Sequence, residues 1–169
     1  MKYYIRFESE NIVFIDLNES LIDDYLNMVN NPEISKFIRL NSCHYSYEEE
    51  LKWIKEKINE KKVIFSMLEK NTYEFIGNIE LMSIENNIGE LGICITSKKQ
   101  NMHYGYEAIE RFIKYCNEEL HLDGVYLSVY SHNQKAINLY KKLGFKEYKI
   151  DKKVGKYNDI WVDDIYMML

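Results

Sequence analysis

The chain has 169 residues, of which 46% are hydrophobic and 29% charged, and this balance predicts a folded globular protein rather than a disordered one. The formal net charge of −5 argues against a nucleic-acid-binding protein, because neutralising phosphates requires a basic surface. Neither a signal peptide nor an apolar run of membrane-spanning length is visible, so we predict a cytoplasmic protein with no membrane partner.

The first third of the chain predicts one strand and two helices. The strand covers residues 12–17, and an amphipathic helix follows over 21–29. Asn31-Pro32 is expected to end that helix, because proline disfavours helical geometry in the residue before it. The second helix follows Ser46–Glu49, which resembles a capping box.

The middle of the chain predicts an antiparallel meander. Its strands are expected at 63–68, 73–83 and 88–96, with turn residues at Asn71 and Asn86-Asn87.

The last third alternates between helices and strands, so a β-α-β crossover is expected to place one parallel pair in an otherwise antiparallel sheet. We therefore predict an α/β (α+β) fold, in which a mixed, mostly antiparallel central sheet is flanked by helices, and one domain over residues 1–169. The elements are a helix at 105–120, a strand at 125–129, a helix at 133–143, and strands near 145–150 and 160–168 with a turn around Gly155.

The segment from Leu91 to Phe145 carries the features that indicate chemistry. In it, a strand at 91–95 leads into a polar loop at 100–105 and then into a helix. Backbone N–H groups converge at such a helix start, and the helix dipole favours negative charge there. The arrangement is suited to a pyrophosphate, although many proteins contain a strand, a polar loop and a helix.

A more specific pattern follows this loop. Residues 133–145 read NQKAINLYKKLGF. They resemble the pattern N-x-x-A-x-x-x-Y-x-x-x-G-F, a signature of the GNAT superfamily of acyl-CoA-dependent N-acetyltransferases. The superfamily's pyrophosphate loop, Q/R-x-x-G-x-G/A, is matched at Gln100 and Gly105. Asn31-Pro32-Glu33 and Gly155–Asp159 look most similar to the ribosomal-protein and spermidine acetyltransferases. The matching signature positions are Asn133, Ala136, Tyr140, Gly144 and Phe145.

This resemblance implies that acetyl-CoA is the cosubstrate and that an amine attacks its acetyl group directly. The acceptor would be a primary amine on a polyamine, a protein N-terminus or a small molecule. The backbone of Ile93, Cys94 and Ile95 would bind the pantetheine arm like an added strand, and Asn133 and Ala136 would contact the same arm. The pyrophosphate would lie on Gln100, Asn101, Met102, His103, Tyr104, Gly105 and Tyr106.

The resemblance also implies that Tyr140 stands beside the thioester sulfur. A phenol with a pKa of about 10 can give the departing thiolate its proton at neutral pH. Two positions depart from the family pattern. His103 replaces the first loop glycine, and Ser128 stands where relatives can carry a glutamate base. Glu80 and Glu90, on neighbouring strands, are the carboxylates we predict as substitutes for that base.

Several alternatives remain open at the level of sequence. Tyr140 could be a packing aromatic, Asn133 only a helix cap, and Gly105 only a close-packing residue. The whole chain could also be a catalytically degenerate module that binds acyl-CoA or a protein partner. A homodimer through the last strands is left open. No metal site is predicted, and the cysteines are expected to be reduced thiols; they are Cys43, Cys94 and Cys116.

Overall fold

The computed structural model describes residues 3–41 and 43–169, and they form one eight-stranded sheet with helices against both faces. This confirms the predicted mixed α/β architecture. The strands lie in the order β1-β2-β3-β4-β5-β6-β8-β7. The strands are β1 (Ile5–Glu8), β2 (Ile12–Asp16), β3 (Ile64–Glu69), β4 (Phe75–Glu85), β5 (Ile88–Ile95), β6 (Gly124–Tyr130), β7 (Lys146–Tyr157) and β8 (Ile160–Met168), and the helices are α1 (Ile22–Val29), α2 (Pro32–Ile38), α3 (Tyr47–Asn59), α4 (Tyr104–Glu118) and α5 (Gln134–Lys142).

Two apolar cores hold the helices on the sheet. On one face, Ile109 and Phe112 of α4 and Ile137 of α5 pack against the strands. On the other face, Tyr25 of α1 and Ile54 of α3 pack against the strands. The helices form here because their apolar residues recur at helical spacing and therefore share one face, which the sheet buries. No helix among the described residues is long and apolar enough to cross a membrane.

The start of α3 confirms the capping box. The Ser46 hydroxyl accepts from the Glu49 N–H at 3.2 Å, and the Glu49 carboxylate accepts from the Ser46 N–H at 2.8 Å. These two bonds satisfy donors that a helix leaves free in its first turn. The register of α3 is thereby fixed by its own sequence, and it determines which side chains the helix turns toward the sheet.

The structure corrects two parts of the predicted order. The predicted order lacks strand β1, which pairs with β2 at the edge of the sheet. It also lacks helix α2. Asn31-Pro32 does end α1, but Pro32 also begins a new helix. The physical reason is that proline is pre-organised for the first helical position, while the Asn31 side chain caps the Glu33 N–H at 3.0 Å.

The predicted turn around Gly155 is also wrong. Gly155 lies inside β7 and pairs with Val162, and the turn comes later, at Asn158 and Asp159. Both turn residues have positive φ, 48° and 62°, which suits a tight hairpin. The glycine instead makes room for Leu40, since a Cβ at Gly155 would lie 2.5 Å from the Leu40 Cδ1 atom.

The predicted parallel pair is confirmed, and it is short. Strands β5 and β6 pair only over Ile88–Glu90 of β5, whereas all the other neighbouring strands pair antiparallel. Beyond Glu90, β5 continues to pair with β4, and β6 continues to pair with β8. The sheet therefore opens between β5 and β6, and this opening positions the candidate site.

Candidate active site

A cavity of about 770 Å³ occupies the opening between β5 and β6. It reaches both faces of the sheet. One end, which we call the cofactor end, is bounded by the loop before α4 and by α5. The other end, which we call the acceptor end, is bounded by α2, α3 and the neighbouring parts of β4 and β8. A cavity of this size is in the range that binds small molecules and cofactors.

At the cofactor end, the loop lines the cavity and leads into a start of α4 that has no side-chain cap. Asn101 and His103 both adopt left-handed conformations, with φ of 62° and 65°, and His103 is the N-cap of α4 without any side-chain cap. The N–H groups of the first turn of α4 therefore lack a protein cap and can bind an anion. Glycine takes this conformation readily, whereas a residue with a Cβ pays about 1 kcal/mol for it.

Several predicted loop residues line the cavity, and two do not. Gln100, Asn101, His103, Gly105 and Tyr106 are lining residues. The Gln100 side-chain amide donates to the Ile95 carbonyl at 3.0 Å and thereby fixes the loop to the end of β5.

Gly105 has a packing role at the same place. A Cβ at Gly105 would lie 3.1 Å from the Cδ2 atom of Leu139 and 3.4 Å from the Cδ1 atom of Ile95. The glycine therefore lets α4 approach both α5 and β5. The two loop residues that do not line the cavity are Met102, which is exposed, and Tyr104.

Tyr104 instead holds the loop from behind. Its hydroxyl donates to the carboxylate of Glu69 at the end of β3, which also accepts from Thr72 at 2.5 Å and from Lys99 at 3.3 Å. These hydrogen bonds, from Thr72 and Tyr104 first, lower the pKa of Glu69 to about 2. The carboxylate is therefore ionised at neutral pH and fixes the start of α4 to the sheet.

The free edge of β5, which the resemblance predicted to bind the pantetheine arm, faces the cavity. Ile93, Cys94 and Ile95 are half-buried, line the cavity, and pair on one side only, with Ile79, Asn78 and Gly77 of β4. Their other edge is directed toward the opening, where β6 has already diverged. Backbone groups along an unpaired strand edge can bind an extended ligand as though it were another strand.

Helix α5 forms the opposite wall of the cofactor end. Its N-cap is Asn133, whose side-chain oxygen accepts from the Ala136 N–H at 3.3 Å, and both residues line the cavity. Asn133 is thus a helix cap and a cavity residue at once. The same helix brings two lysines that the sequence reading did not select, Lys135 and Lys142, to the cavity wall. The two lysines are seven residues apart and therefore lie on one face of α5, and this spacing was the signal that could have identified them.

Tyr140 lies on α5 beside the free edge of β5. The residue is 8% exposed and lines the cavity. Burial, and next the Cys94 thiol, raise the pKa of Tyr140 to about 12. Burial, and next Glu80, raise the pKa of the Cys94 thiol to about 12 as well. Phenol and thiol therefore both stay protonated at neutral pH in this part of the cavity.

The structure separates the two carboxylates predicted as bases. Glu80 is half-buried on β4, lines the cavity, and lies directly opposite Gly92 of β5, which has no side chain to cover it. Burial raises the pKa of Glu80, and Lys57 partly counteracts that effect. Glu90 lies outside the cavity lining, where its carboxylate accepts from the Ser83 hydroxyl at 3.0 Å.

The acceptor end combines carboxylates with aromatic rings. Among its carboxylates, Glu50 on α3 is only 6% exposed, and burial raises its pKa. Arg39 also lines this end, but its guanidinium donates to the Val29 and Cys43 carbonyls at 3.0 and 2.6 Å. Of the carboxylates and rings at this end, the sequence predicted Glu80 but not the others, because they come from separate elements. The carboxylates are Glu49, Glu50, Glu80 and Asp164, and the rings are Phe37, Tyr45, Trp53 and Tyr130.

The family of the chain follows from a sequence comparison. Residues 11–146 match the profile described as "Acetyltransferase (GNAT) domain". The chain belongs to the GNAT acetyltransferase family. This confirms the predicted family and its enzyme class, and members of the family use acetyl-CoA as the acetyl donor.

Two curated relatives of this acetyltransferase are enzymes of the same class. The L-amino acid N-acetyltransferase AaaT of Escherichia coli is 32% identical over 48% of this chain, and the match spans 51% of that enzyme, about half its length. The acetyltransferase PseH of Campylobacter jejuni is 25% identical over 82% of this chain and 85% of its own length.

Among solved structures, the spermidine N-acetyltransferase of Vibrio cholerae, in complex with CoA and spermine, has the same fold. Its TM-score is 0.87 at 22% identity, over 95% of this chain and 96% of the other.

The residues at the cofactor end fit the donor that the family uses. The uncapped start of α4 offers N–H groups to a pyrophosphate, the free edge of β5 offers backbone groups to pantetheine, and Lys135 and Lys142 offer positive charge to phosphates. His103 changes the side chain of the loop but leaves its N–H in place.

Proposed function

We propose that this acetyltransferase moves the acetyl group of acetyl-CoA to a cationic small-molecule amine. The observation that carries this proposal is the charge difference along the cavity. Lysines and free N–H groups gather at the cofactor end, while carboxylates and aromatic rings gather at the acceptor end. A carboxylate-lined site attracts ammonium groups, and ring faces stabilise cations further. The similarity to enzymes that act on amino acids and spermidine supports the same class of acceptor.

In this proposal, Tyr140 is the proton donor. When bound, acetyl-CoA supplies the acetyl group as a thioester, and its sulfur leaves as the new amide forms. Burial, and next the Cys94 thiol, raise the pKa of Tyr140, so the phenol carries its proton at neutral pH and has it available for the departing sulfur.

Glu80 and Glu90 are the two residues that the sequence predicted as the base that removes a proton from the acceptor amine. Glu80 lines the cavity, so it can contact an acceptor. Glu90 is held by Ser83 at the paired start of β5, away from the cavity lining, and its predicted role would need a water chain. We retain both as predictions that mutation can separate.

The remaining parts of the proposal concern the whole protein. We infer one acetyltransferase domain in the cytoplasm, where acetyl-CoA is used, acting without nucleic acid or a membrane surface; the net charge of −5 supports the exclusion of nucleic acid. A homodimer through the outer edge of β7 remains part of the proposal, because that edge pairs with no strand among residues 3–41 and 43–169. Sedimentation of the purified protein at several concentrations tests it.

The test of function uses two measurements on the same preparation. Calorimetry with acetyl-CoA and CoA measures donor binding, and detection of released thiol measures turnover with spermidine, aliphatic diamines, amino acids and a peptide N-terminus. We expect saturable donor binding and turnover with the cationic amines. Donor binding without turnover of any amine would favour the degenerate binding module instead.

A tyrosine pair tests the proton donor. Tyr140→Phe should lower kcat by about 100-fold or more while leaving acetyl-CoA affinity unchanged, because general acid catalysis contributes about 10² to 10⁴. The matched control is Tyr115→Phe on α4, which removes a hydroxyl from a half-buried ring outside the cavity lining. Equal activity of the two variants would contradict the role of Tyr140.

A further inference from the structure

Asp164 and Ser128 share a face of the sheet on one side of the opening. Tyr130 of β6 pairs directly with Asp164 of β8, and Ser128 lies two residues before Tyr130, so its side chain points to the same face. Ser128 and Asp164 are therefore diagonal neighbours, and both line the cavity.

One oxygen of Asp164 lacks a partner. Its Oδ1 atom is buried and accepts no hydrogen bond within the described part of the chain. Leaving a buried acceptor without a hydrogen bond is unfavourable, more so when it is charged, so such groups are rare unless they serve a ligand or water. An acceptor amine in the cavity would supply an N–H donor to this oxygen.

The surroundings of Asp164 favour proton uptake. Burial raises the pKa of Asp164, the Ser128 hydroxyl lowers it, and the negative charges of Asp151 and Glu90 raise it further. Lys149, a nearby cation that lowers this pKa, is itself paired with Asp151 at 2.8 Å. The titratable and charged groups that face Asp164 are Tyr130 of β6, Tyr166 of β8, Lys149 and Asp151 of β7, and Glu90 of β5.

We propose that Asp164, whose Oδ1 atom is buried at the cavity without a partner among the described residues, takes the proton from the attacking amine. This inference rests on the proposed acetyl transfer. The neutral amine forms a bond to the acetyl carbon, which makes its N–H strongly acidic, and that proton passes to the Asp164 carboxylate. The carbon–sulfur bond breaks, and Tyr140 gives its proton to the sulfur. Asp164 then releases its proton to water and Tyr140 regains one from water, so the products are an amide and a thiol.

The test compares two neighbouring aspartates. Asp164→Asn should lower kcat by about 100-fold or more and abolish the acid limb of the pH–rate profile, with acetyl-CoA affinity and thermal midpoint close to wild type. The control is Asp163→Asn, whose carboxylate binds Lys152 and the Lys153 N–H instead of lining the cavity. It should keep kcat within about twofold, because surface ion pairs contribute little.

A second variant keeps the proposal testable if Asp164→Asn does not fold. Ser128→Ala removes the hydroxyl that lowers the pKa of Asp164, so the acid limb should move to higher pH while the carboxylate remains. An acid limb that stays in place, or an Asp164→Asn enzyme with kcat within about threefold of wild type, would overturn the proposal. A wild-type protein that turns over no amine would overturn both the proposed function and this role of Asp164, whereas an active wild type with an equally active Asp164→Asn variant would overturn only the role of Asp164.

Discussion

The two ends of the cavity are built in different ways. The cofactor end is made mainly of backbone groups, namely the free edge of β5 and the uncapped start of α4, within one stretch of chain. The acceptor end is made of side chains from α2, α3, β4, β6 and β8, which are far apart in sequence. In the proposed function, the backbone groups bind the cosubstrate and the side chains select the acceptor.

The opening between β5 and β6 also has two unequal sides at the acceptor end. Glu80 lies one strand away on the β4 side, opposite the bare backbone of Gly92. Asp164 lies one strand away on the β8 side, diagonal to the short side chain of Ser128. Lys57 counteracts the effect of burial on Glu80, whereas Lys149, the cation that lowers the pKa of Asp164, is already paired with Asp151. This difference predicts that Glu80 binds the cationic acceptor and that Asp164 accepts its proton.

The largest effect that would sharpen this division is expected at Glu80. Glu80→Gln should raise the KM of a cationic acceptor by about 10-fold or more at neutral pH, because hydrogen bonds to charged groups contribute about 1.5–3 kcal/mol. Both kcat and acetyl-CoA affinity should stay near wild type. Steady-state kinetics with a diamine measures this, and Glu85→Gln at the exposed end of β4 is the control. A fall in kcat instead of a rise in KM would assign the base role to Glu80.

A smaller effect is expected at the basic end. Lys142→Gln should weaken acetyl-CoA binding by about 2- to 5-fold, since an exposed charge pair contributes up to about 1 kcal/mol. The loss should shrink at high salt, because screening removes the same attraction. Calorimetry at two ionic strengths measures both. The control is Lys141→Gln, next along the helix, which pairs with Glu147 at 2.8 Å outside the cavity. Equal losses in both variants would show that net charge alone is involved.

The sequence predicted the backbone-built end better than the side-chain end, for a physical reason. The loop before α4 and the signature along α5 are local patterns, and each residue in them is placed by its neighbours in the chain. Asp164, Glu50 and Trp53 line the same cavity because α3 packs on one side of the opening and β8 lies between β6 and β7 in the sheet. No spacing in the sequence predicts that these three residues share a cavity.

The errors in the fold have the same origin. Strand β1 has four residues, of which only Phe7 is buried, and so short a segment is too weak a pattern to predict a strand. Pro32 ends one helix and starts another, and only the geometry of Asn31 decides between an ending and a kink. Gly155 was assigned to a turn because glycine favours turns, yet its missing side chain serves Leu40, which is more than a hundred residues away.

The smallest effect concerns the anchor behind the loop, and it depends on pH. The pKa of Glu69 in the fold is about 2, below its ordinary value of 4.5, so ionised Glu69 stabilises the fold. That contribution is complete above pH 4.5 and is lost as the pH falls from 4.5 toward 2. Glu69→Gln should therefore be less stable than wild type at pH 6, and the difference should shrink at pH 3. Urea unfolding at both pH values measures it.

The control for this anchor separates Tyr104 from Lys99. Glu74→Gln removes the other carboxylate that binds Lys99, at 2.5 Å, but leaves the bond between Tyr104 and Glu69 intact. If the anchor positions the pyrophosphate loop, Glu69→Gln should weaken acetyl-CoA binding at pH 6 while Glu74→Gln should not. Equal donor affinity in both variants would mean that the uncapped start of α4 holds its geometry without support from β3, and that the cofactor end depends on its local backbone alone.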